Sequence, residues 1–244
     1  MDNTLKTGIS SAMLHILAMA FMLCDHLWGT IIPGNDWLTC IGRLAFPIFA
    51  FMIVEGYFNT KNLKKYILRI LLFAFISEIP FNLMMGGRLF YPVHQNVLWS
   101  FLISICLIHL NEKAKATKKM WLRIITAFLT IISAYITGLI TMVDFYHAGI
   151  LTVLAFYFFR KKTVLNCICQ LICLWYINAE MLGGLGYELE IFGNTFFLTR
   201  QSLALLALIP IWAYNGRRGY NSKALQYTYY LFYPLHMLIL ALLR

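Results

Sequence analysis

Apolar residues run along this chain in long blocks, separated by short clusters of Lys, Arg, Asn, Pro and Gly. A bilayer core about 30 Å thick takes about 20 apolar residues wound as a helix. On that basis the punctuation predicts nine helices, at about 11–32, 37–58, 64–85, 95–110, 121–142, 147–160, 163–181, 201–215 and 226–243. The sixth and eighth are short enough to be re-entrant or partly unwound instead. No block repeats another. The expected fold class is therefore all-α: a polytopic integral membrane helical bundle of about nine transmembrane helices, forming a single transmembrane domain over residues 1–244.

Composition agrees with the pattern. Of the 244 residues 61% are hydrophobic and 12% charged, against about half and about a quarter in soluble domains. The first block resembles a signal-peptide core. Asp25 and His26 interrupt it and no small-residue cleavage site follows, so it is read as a retained first helix.

Charge gives orientation, because basic residues near span ends stay on the cytoplasmic side. Lys6 precedes the first helix, and Lys61, Lys64, Lys65 and Arg69 lie between the second and third. Lys113, Lys115, Lys118, Lys119 and Arg123 follow the fourth; Arg160, Lys161 and Lys162 the sixth; Arg217, Arg218 and Lys223 the eighth. These sixteen of twenty basic residues occupy alternate connections. Nine spans with the N-terminus in the cytoplasm and the C-terminus outside, in a multi-pass cell-membrane protein, account for that. The net charge of +10 is thereby explained without a nucleic-acid partner. The six cysteines sit in or beside apolar runs and read as packing residues. Cys167, Cys169 and Cys173 have no nearby His, and no metal site is expected.

The remaining ionisable residues fall inside the spans, where each costs roughly 2.5–3.5 kcal/mol at mid-bilayer and usually faces an interior cavity. At about 1.5 Å per residue, Asp25 and His26 lie about 20 Å from the cytoplasmic start of their helix, and Glu78 likewise; Arg43, about 10 Å from the outer end of the second, falls at nearly the same level. A lone Asp–Arg pair would be a buried ion pair without chemistry. Here two acids and an imidazole share one guanidinium. His94, Gln95, Asn96, Asp144, Tyr146 and His147 gather at the outer ends of helices four to six, which favours a cavity opening toward the outer half. His15, Met22, His26 and Gly29, with Met19 beside them, form a stripe on helix one leading up from the cytoplasmic mouth. Glu55 and His109 lie near the same entrance, although His15 and His109 also suit interfacial residues reaching water. Pro47, Pro80 and Pro234 accompany Arg43, Glu78 and His236, and a proline inside a span frees a carbonyl where the helix faces protein or a wet cavity. Tyr229, Tyr233 and His236 share a face of helix nine.

These residues carry a resemblance. Met22-Leu23-Cys24-Asp25-His26-Leu27-Trp28-Gly29, Gly42-Arg43-Leu44-Ala45-Phe46-Pro47, Glu55-Gly56-Tyr57, Thr60-Lys61-Asn62, Tyr66 with Arg69, Ser77-Glu78-Ile79-Pro80-Phe81-Asn82, Asn96-Val97, Asp144 with Gly149, and Tyr233-Pro234 with His236 together resemble the TraX family over essentially the whole chain. Cys24 before Asp25 and the Ser-Ser-Ala-Met start depart from its pattern without removing a chemical group.

The family is named for a conjugation protein that N-acetylates pilin, and it is similar to larger transmembrane acyltransferases; the pilin substrate itself is not carried over. The resemblance implies an acetyl-CoA-dependent membrane acetyltransferase. It would move an acetyl group from cytosolic acetyl-CoA to an amine or hydroxyl acceptor at the cell envelope, such as a glycan, a lipid or a peptide amine. His26 is then the base or nucleophile, Asp25 pairs with Arg43, and Glu78 or Asp144 orients His26. Arg43, Asn96 or Tyr233 donates to the thioester oxygen. Glu55, Asn82, His94, His147, His236 and Arg69 complete the binding set, with the phosphates of acetyl-CoA near Lys65, Arg69, Arg123 or Arg217. The rival class is a proton-coupled transporter or permease using the same buried charges. A non-catalytic assembly factor would explain the spans but not the clustered charges.

Overall fold

The computed structural model describes residues 7–220 and 222–244, so Lys6 lies outside the described residues. The protein is mostly helical, at 73%, and helices appear at each of the nine expected places: α1 (Ser11–Thr30), α2 (Asp36–Gly42) with α3 (Ala45–Asn59), α4 (Leu63–Gly86), α5 (Val97–Ala116), α6 (Met120–Ile140), α7 (Tyr146–Phe158), α8 (Val164–Trp175), α9 (Leu208–Trp212) and α10 (Lys223–Leu243). Among the described residues six helical stretches are long and apolar enough to cross a membrane; Tyr146–Phe158 and Arg200–Trp212 are shorter.

Local chemistry sets the boundaries. The side chains of Ser10, Asn62, Asn96 and Thr163 cap α1, α4, α5 and α8 by accepting from backbone N–H groups of the first turn. α4 stops at Gly87, whose φ of 63° is the left-handed conformation a helix C-terminus favours. The expected second helix, 37–58, is broken at Arg43 and Leu44. A proline has no N–H to give the carbonyl four residues before it, and its ring clashes with that carbonyl. Pro47 therefore interrupts the α hydrogen-bond pattern at Arg43 and Leu44, which keep right-handed helical dihedrals in a tightened turn, and α3 restarts at Ala45.

Three features depart from uniform α-helix. α8 ends in a π-helical turn at Tyr176–Leu182. The segment after it forms an antiparallel hairpin of β1 (Gly186–Ile191) and β2 (Asn194–Thr199), which the pattern of apolar blocks did not suggest. The expected eighth helix, 201–215, is a 3₁₀ turn at Arg200–Ala207 running into the short α9.

α3 and α7 form the centre of the bundle. Phe46, Ile48, Ala50 and Val54 of α3 pack with Ile150, Val153, Leu154 and Phe156 of α7, and with Leu14 of α1 and Phe101 and Ile108 of α5. Centrality explains why α7 can be short: its side chains face protein on all sides. α6 is peripheral, and Ile124, Phe128, Leu129 and Ile136 lie exposed along it, as a lipid-facing surface requires. α1 packs against α2, α3 and α10, and α4 lies between α5 and α10. Gly42 allows the first of these contacts, since a Cβ there would stand 2.4 Å from Cβ of Asp25.

The ends of the bundle are tied by backbone. The N–H groups of Ser11 and Ala12 donate to the carbonyls of Arg217 and Arg218 at 2.9 and 3.0 Å, and Ile9 and Asn215 bond each other's neighbourhood. These bonds satisfy donors that a helix N-terminus leaves free. At the other end Arg244 Nη1 donates to the carbonyl of Met84 at 2.8 Å, tying the last residue to the C-terminal turn of α4.

Candidate functional site

Arg43, at the break between α2 and α3, has its guanidinium held on three sides. Nη2 donates to Asp25 Oδ1 and, at 2.9 Å, to Thr39 Oγ1; Nε donates to the Thr39 carbonyl; Nη1 donates to Gln201 Oε1 at 3.1 Å. The expected Asp25–Arg43 pair is present, and Thr39 Oγ1 donates to the same carboxylate at 2.8 Å. Gln201 is itself fixed. Its amide nitrogen donates to Asn178 Oδ1 at 2.8 Å, and Asn178 Nδ2 donates to the Leu174 carbonyl at 2.8 Å. A carbonyl can only accept, so this chain of bonds sets both amide orientations and turns the Gln201 oxygen toward Arg43. The π turn carries Asn178 into the bundle, a common use of such turns at functional sites. Of the five N–H bonds of Arg43, one on Nη1 keeps no partner among the described residues.

His26 is oriented differently from expectation. Neither Glu78 nor Asp144 touches it; His236 of α10 does, with His26 Nδ1 and His236 Nε2 2.7 Å apart and the rings nearly parallel. His236 Nδ1 lies 2.6 Å from the Phe232 carbonyl. That carbonyl fixes the tautomers when both rings are neutral. His236 must carry its proton on Nδ1 to donate, so its Nε2 accepts from His26 Nδ1–H, and the lone pair of His26 stands on Nε2. His236 is buried, and His26 lies within electrostatic reach of Arg43. The pair therefore presents a base within electrostatic reach of a guanidinium that has one N–H unpaired among the described residues.

Glu78 belongs to a second polar centre. Its Oε2 accepts from Asn96 Nδ2 and from Trp99 Nε1, the latter at 3.0 Å, while Oε1 is buried without a partner among the described residues. Asn96 also donates to the Ala74 carbonyl at 2.9 Å and caps α5 with its oxygen; its amide is fully engaged, which removes it as a free donor to a substrate. His94 Nε2 meets Asp144 Oδ1 at 3.1 Å. The turn carrying Asp144 bonds the Gln95 carbonyl, and places Phe145 and Tyr146 at φ of 59° and 46°, a conformation sparse for bulky residues. Asn82 donates to the Leu89 carbonyl at 3.2 Å. The ring of His147 lies 4.4 Å from that of Tyr135, tilted against it, and apart from both centres. The single level expected for Asp25, His26, Arg43 and Glu78 is thus two centres. Tyr233 stands between them: it lies within electrostatic reach of Asp144 and Glu78, and its ring lies 6.0 Å from that of His236.

A cavity of about 1030 Å³ leads to this junction. Lys61, Lys65, Arg69 and Arg218 line its mouth. Glu55, His15 and Met19 follow, and Met22, Phe232 and Tyr233 close its deep end, within one helical turn of His26 and His236. Of the helix-one stripe read from the sequence, His15, Met19 and Met22 form this wall, while His26 and Gly29 do not line it. Arg69 lies over the ring of Tyr230 and His15 stacks on Tyr229. Arg123, bonded to the Lys115 carbonyl, and Arg217 do not line the cavity. Glu55 is paired with Arg160 at 2.7 Å and borders a second cavity of about 1320 Å³ at the same end.

Thr39, Asn178, Gln201 and Trp99 were not singled out from sequence. Asn178 does stand as a polar residue within an apolar stretch, and weighing neutral amides alongside ionisable groups would have drawn attention to it; Gln201, in the polar run Thr199-Arg200-Gln201-Ser202, carries no such signal.

Fold and site together define a helical membrane protein with a polar, histidine-containing centre about one helical turn from the lining of an internal cavity. The chain belongs to the TraX family: the model described as TraX protein matches residues 10–244. It is similar to the probable fimbrial assembly protein FimC, serogroup H1, of Dichelobacter nodosus, at 27% identity over 256 residues, covering 95% of this chain and 94% of that protein. No solved structure matches.

Proposed function

We propose that this chain is a multi-pass cell-membrane acetyltransferase, with nine spans, its N-terminus inside and its C-terminus outside. It transfers an acetyl group from cytosolic acetyl-CoA to an amine or hydroxyl at the envelope. The observation that carries the reading is the His26–His236 pair, with a lone pair on His26 Nε2, within electrostatic reach of Arg43 and one helical turn beyond Met22 and Tyr233, which line a cavity whose mouth is basic. A general base, an oxyanion donor and an anion-attracting entrance are the parts acyl transfer requires.

In this mechanism the acceptor's N–H or O–H gives its proton to His26 Nε2 as its nitrogen or oxygen attacks the thioester carbonyl. The new C–N or C–O bond forms, the C–S bond breaks, and the proton passes from His26 to the departing sulfur, releasing CoA as its thiol. The spare Arg43 N–H faces the developing oxyanion, and Asp25, Thr39 and Gln201 hold the guanidinium in place. Lys61, Lys65, Arg69 and Arg218 receive the phosphates of the donor.

The test is incubation of proteoliposomes and envelope fractions with acetyl-labelled acetyl-CoA. Label in an envelope component, lost on His26→Ala with the protein still folded, is expected. Undiminished label transfer by His26→Ala, or no saturable acetyl-CoA binding by the wild type, overturns the reading. Uptake of a small molecule without label transfer would support a transporter instead.

A further inference from the structure

We infer that the β1–β2 hairpin is a lipid-docking element, its apolar face and tip seated in the bilayer leaflet at that end of the bundle. Alternate residues of a strand point to opposite faces, and the register pairs Tyr187 with Leu198 and Leu189 with Phe196 on one of them. The other face carries Glu188 opposite Phe197 and Glu190 opposite Thr195. The hairpin therefore has one continuous apolar side and one acidic side.

Its attachment is confined to its base, where Tyr187 meets Cys40 and the Arg200 guanidinium, and Arg200 pairs with Asp36 at 2.5 Å. Beyond that base the apolar side chains are exposed, Leu189 among them. Phe192 at the tip is 100% exposed, and Phe196 is 54% exposed.

Lipid is the occupant because the hairpin continues a lipid-facing surface. α8 and its π turn present Ile172, Trp175 and Tyr176 outward just before it, and Trp and Tyr mark the level of a membrane interface. Leu185 extends the same exposed surface into β1. From Thr163 to Thr199 the chain has no Lys or Arg, and Arg200 at the hairpin base is paired with Asp36, so the hairpin itself offers anionic headgroups no cation. The glutamates lie on the face that must remain in water. An amphipathic element at a membrane surface buries its apolar face at the boundary between headgroups and acyl chains. This inference does not depend on the acetyl-transfer reading.

The test uses the full chain in phosphatidylcholine proteoliposomes, with Phe192→Trp and Phe196→Trp compared with Glu190→Trp after subtraction of the wild-type tryptophan signal. Fluorescence at 192 and 196 is expected to be quenched by lipids brominated near the headgroup and at least threefold less sensitive to aqueous acrylamide than at 190. Full acrylamide access at 192 and 196 without quenching by brominated lipid overturns the inference. Shielding from both quenchers also overturns it, since the face would then be covered by a second protein copy. All three substitutions are on exposed positions, so folding is not at issue.

Discussion

The imidazoles of His26 and His236 meet at 2.7 Å although 210 positions separate them in the chain. One belongs to the first helix and the other to the last, and the Phe232 carbonyl fixes which nitrogens carry protons. Removing either ring therefore has a different expected effect. His26→Ala should lower acetyl transfer by about 10²–10⁴-fold, the usual contribution of a general base. His236→Phe leaves the base present without its tautomer partner and should cost less, about tenfold or more. Label transfer in nanodiscs checks both, and equal activity of wild type and His26→Ala would remove His26 from the chemistry.

Arg43 serves both stability and the proposed chemistry. Truncation to Ala strands Asp25 without its countercharge, and breaking one side of a buried pair costs about 3–5 kcal/mol. With each side chain about a fifth to a quarter exposed, the lower end is expected. Asp25→Asn combined with Arg43→Gln should recover much of that loss in thermal unfolding while activity stays low.

Gln201 touches Arg43 but lies on its far side from Asp25. Gln201→Leu should lower the turnover rate about tenfold and leave acetyl-CoA affinity unchanged, because the guanidinium keeps Asp25 and Thr39 but loses its third support. Separate determination of kcat and KM decides; a change confined to KM would place Gln201 on the donor's route instead.

The cavity mouth separates cations by position. Charge reversal at Lys61, Lys65, Arg69 or Arg218 should raise KM for acetyl-CoA severalfold, with the effect shrinking at high salt as screening increases. Arg123→Glu and Arg217→Glu, outside the cavity, should change it little.

Close helix packing supplies a test independent of catalysis. Gly42→Ala places a methyl group 2.4 Å from Cβ of Asp25 and should destabilise the protein by about 1–3 kcal/mol, as overpacking does. Gly29→Ala, with no neighbour within 4 Å, should be neutral or slightly stabilising. Melting temperatures in detergent compare the two directly.

Much of this architecture is written in local pattern. The apolar blocks located the helices because lipid demands length and uniform apolarity, and Ser10, Asn62 and Thr163 announce helix starts by their side-chain chemistry. The Asp25–Arg43 pair was legible because intramembrane charges have few alternatives. Partner choice between distant segments was not legible. Glu78, Asp144 and His236 are each credible neighbours of His26 by level alone, and only the docking of α10 on α1 selects His236. The β hairpin was hidden for another reason: Tyr187–Ile191 and Phe196–Leu198 are too short and mixed to register as apolar blocks, and strand pairing depends on a turn at Phe192–Gly193 rather than on helical period.

Ile9, Ser11 and Ala12 are among the first described residues of the chain, yet their backbone partners lie at 213–218. During synthesis α1 thus waits in the bilayer without these backbone partners until residues 213–218 have been translated. A chain interrupted before α10 would carry His26 and Arg43 but no matching imidazole. Premature termination should therefore yield inert membrane fragments rather than poorly regulated enzymes.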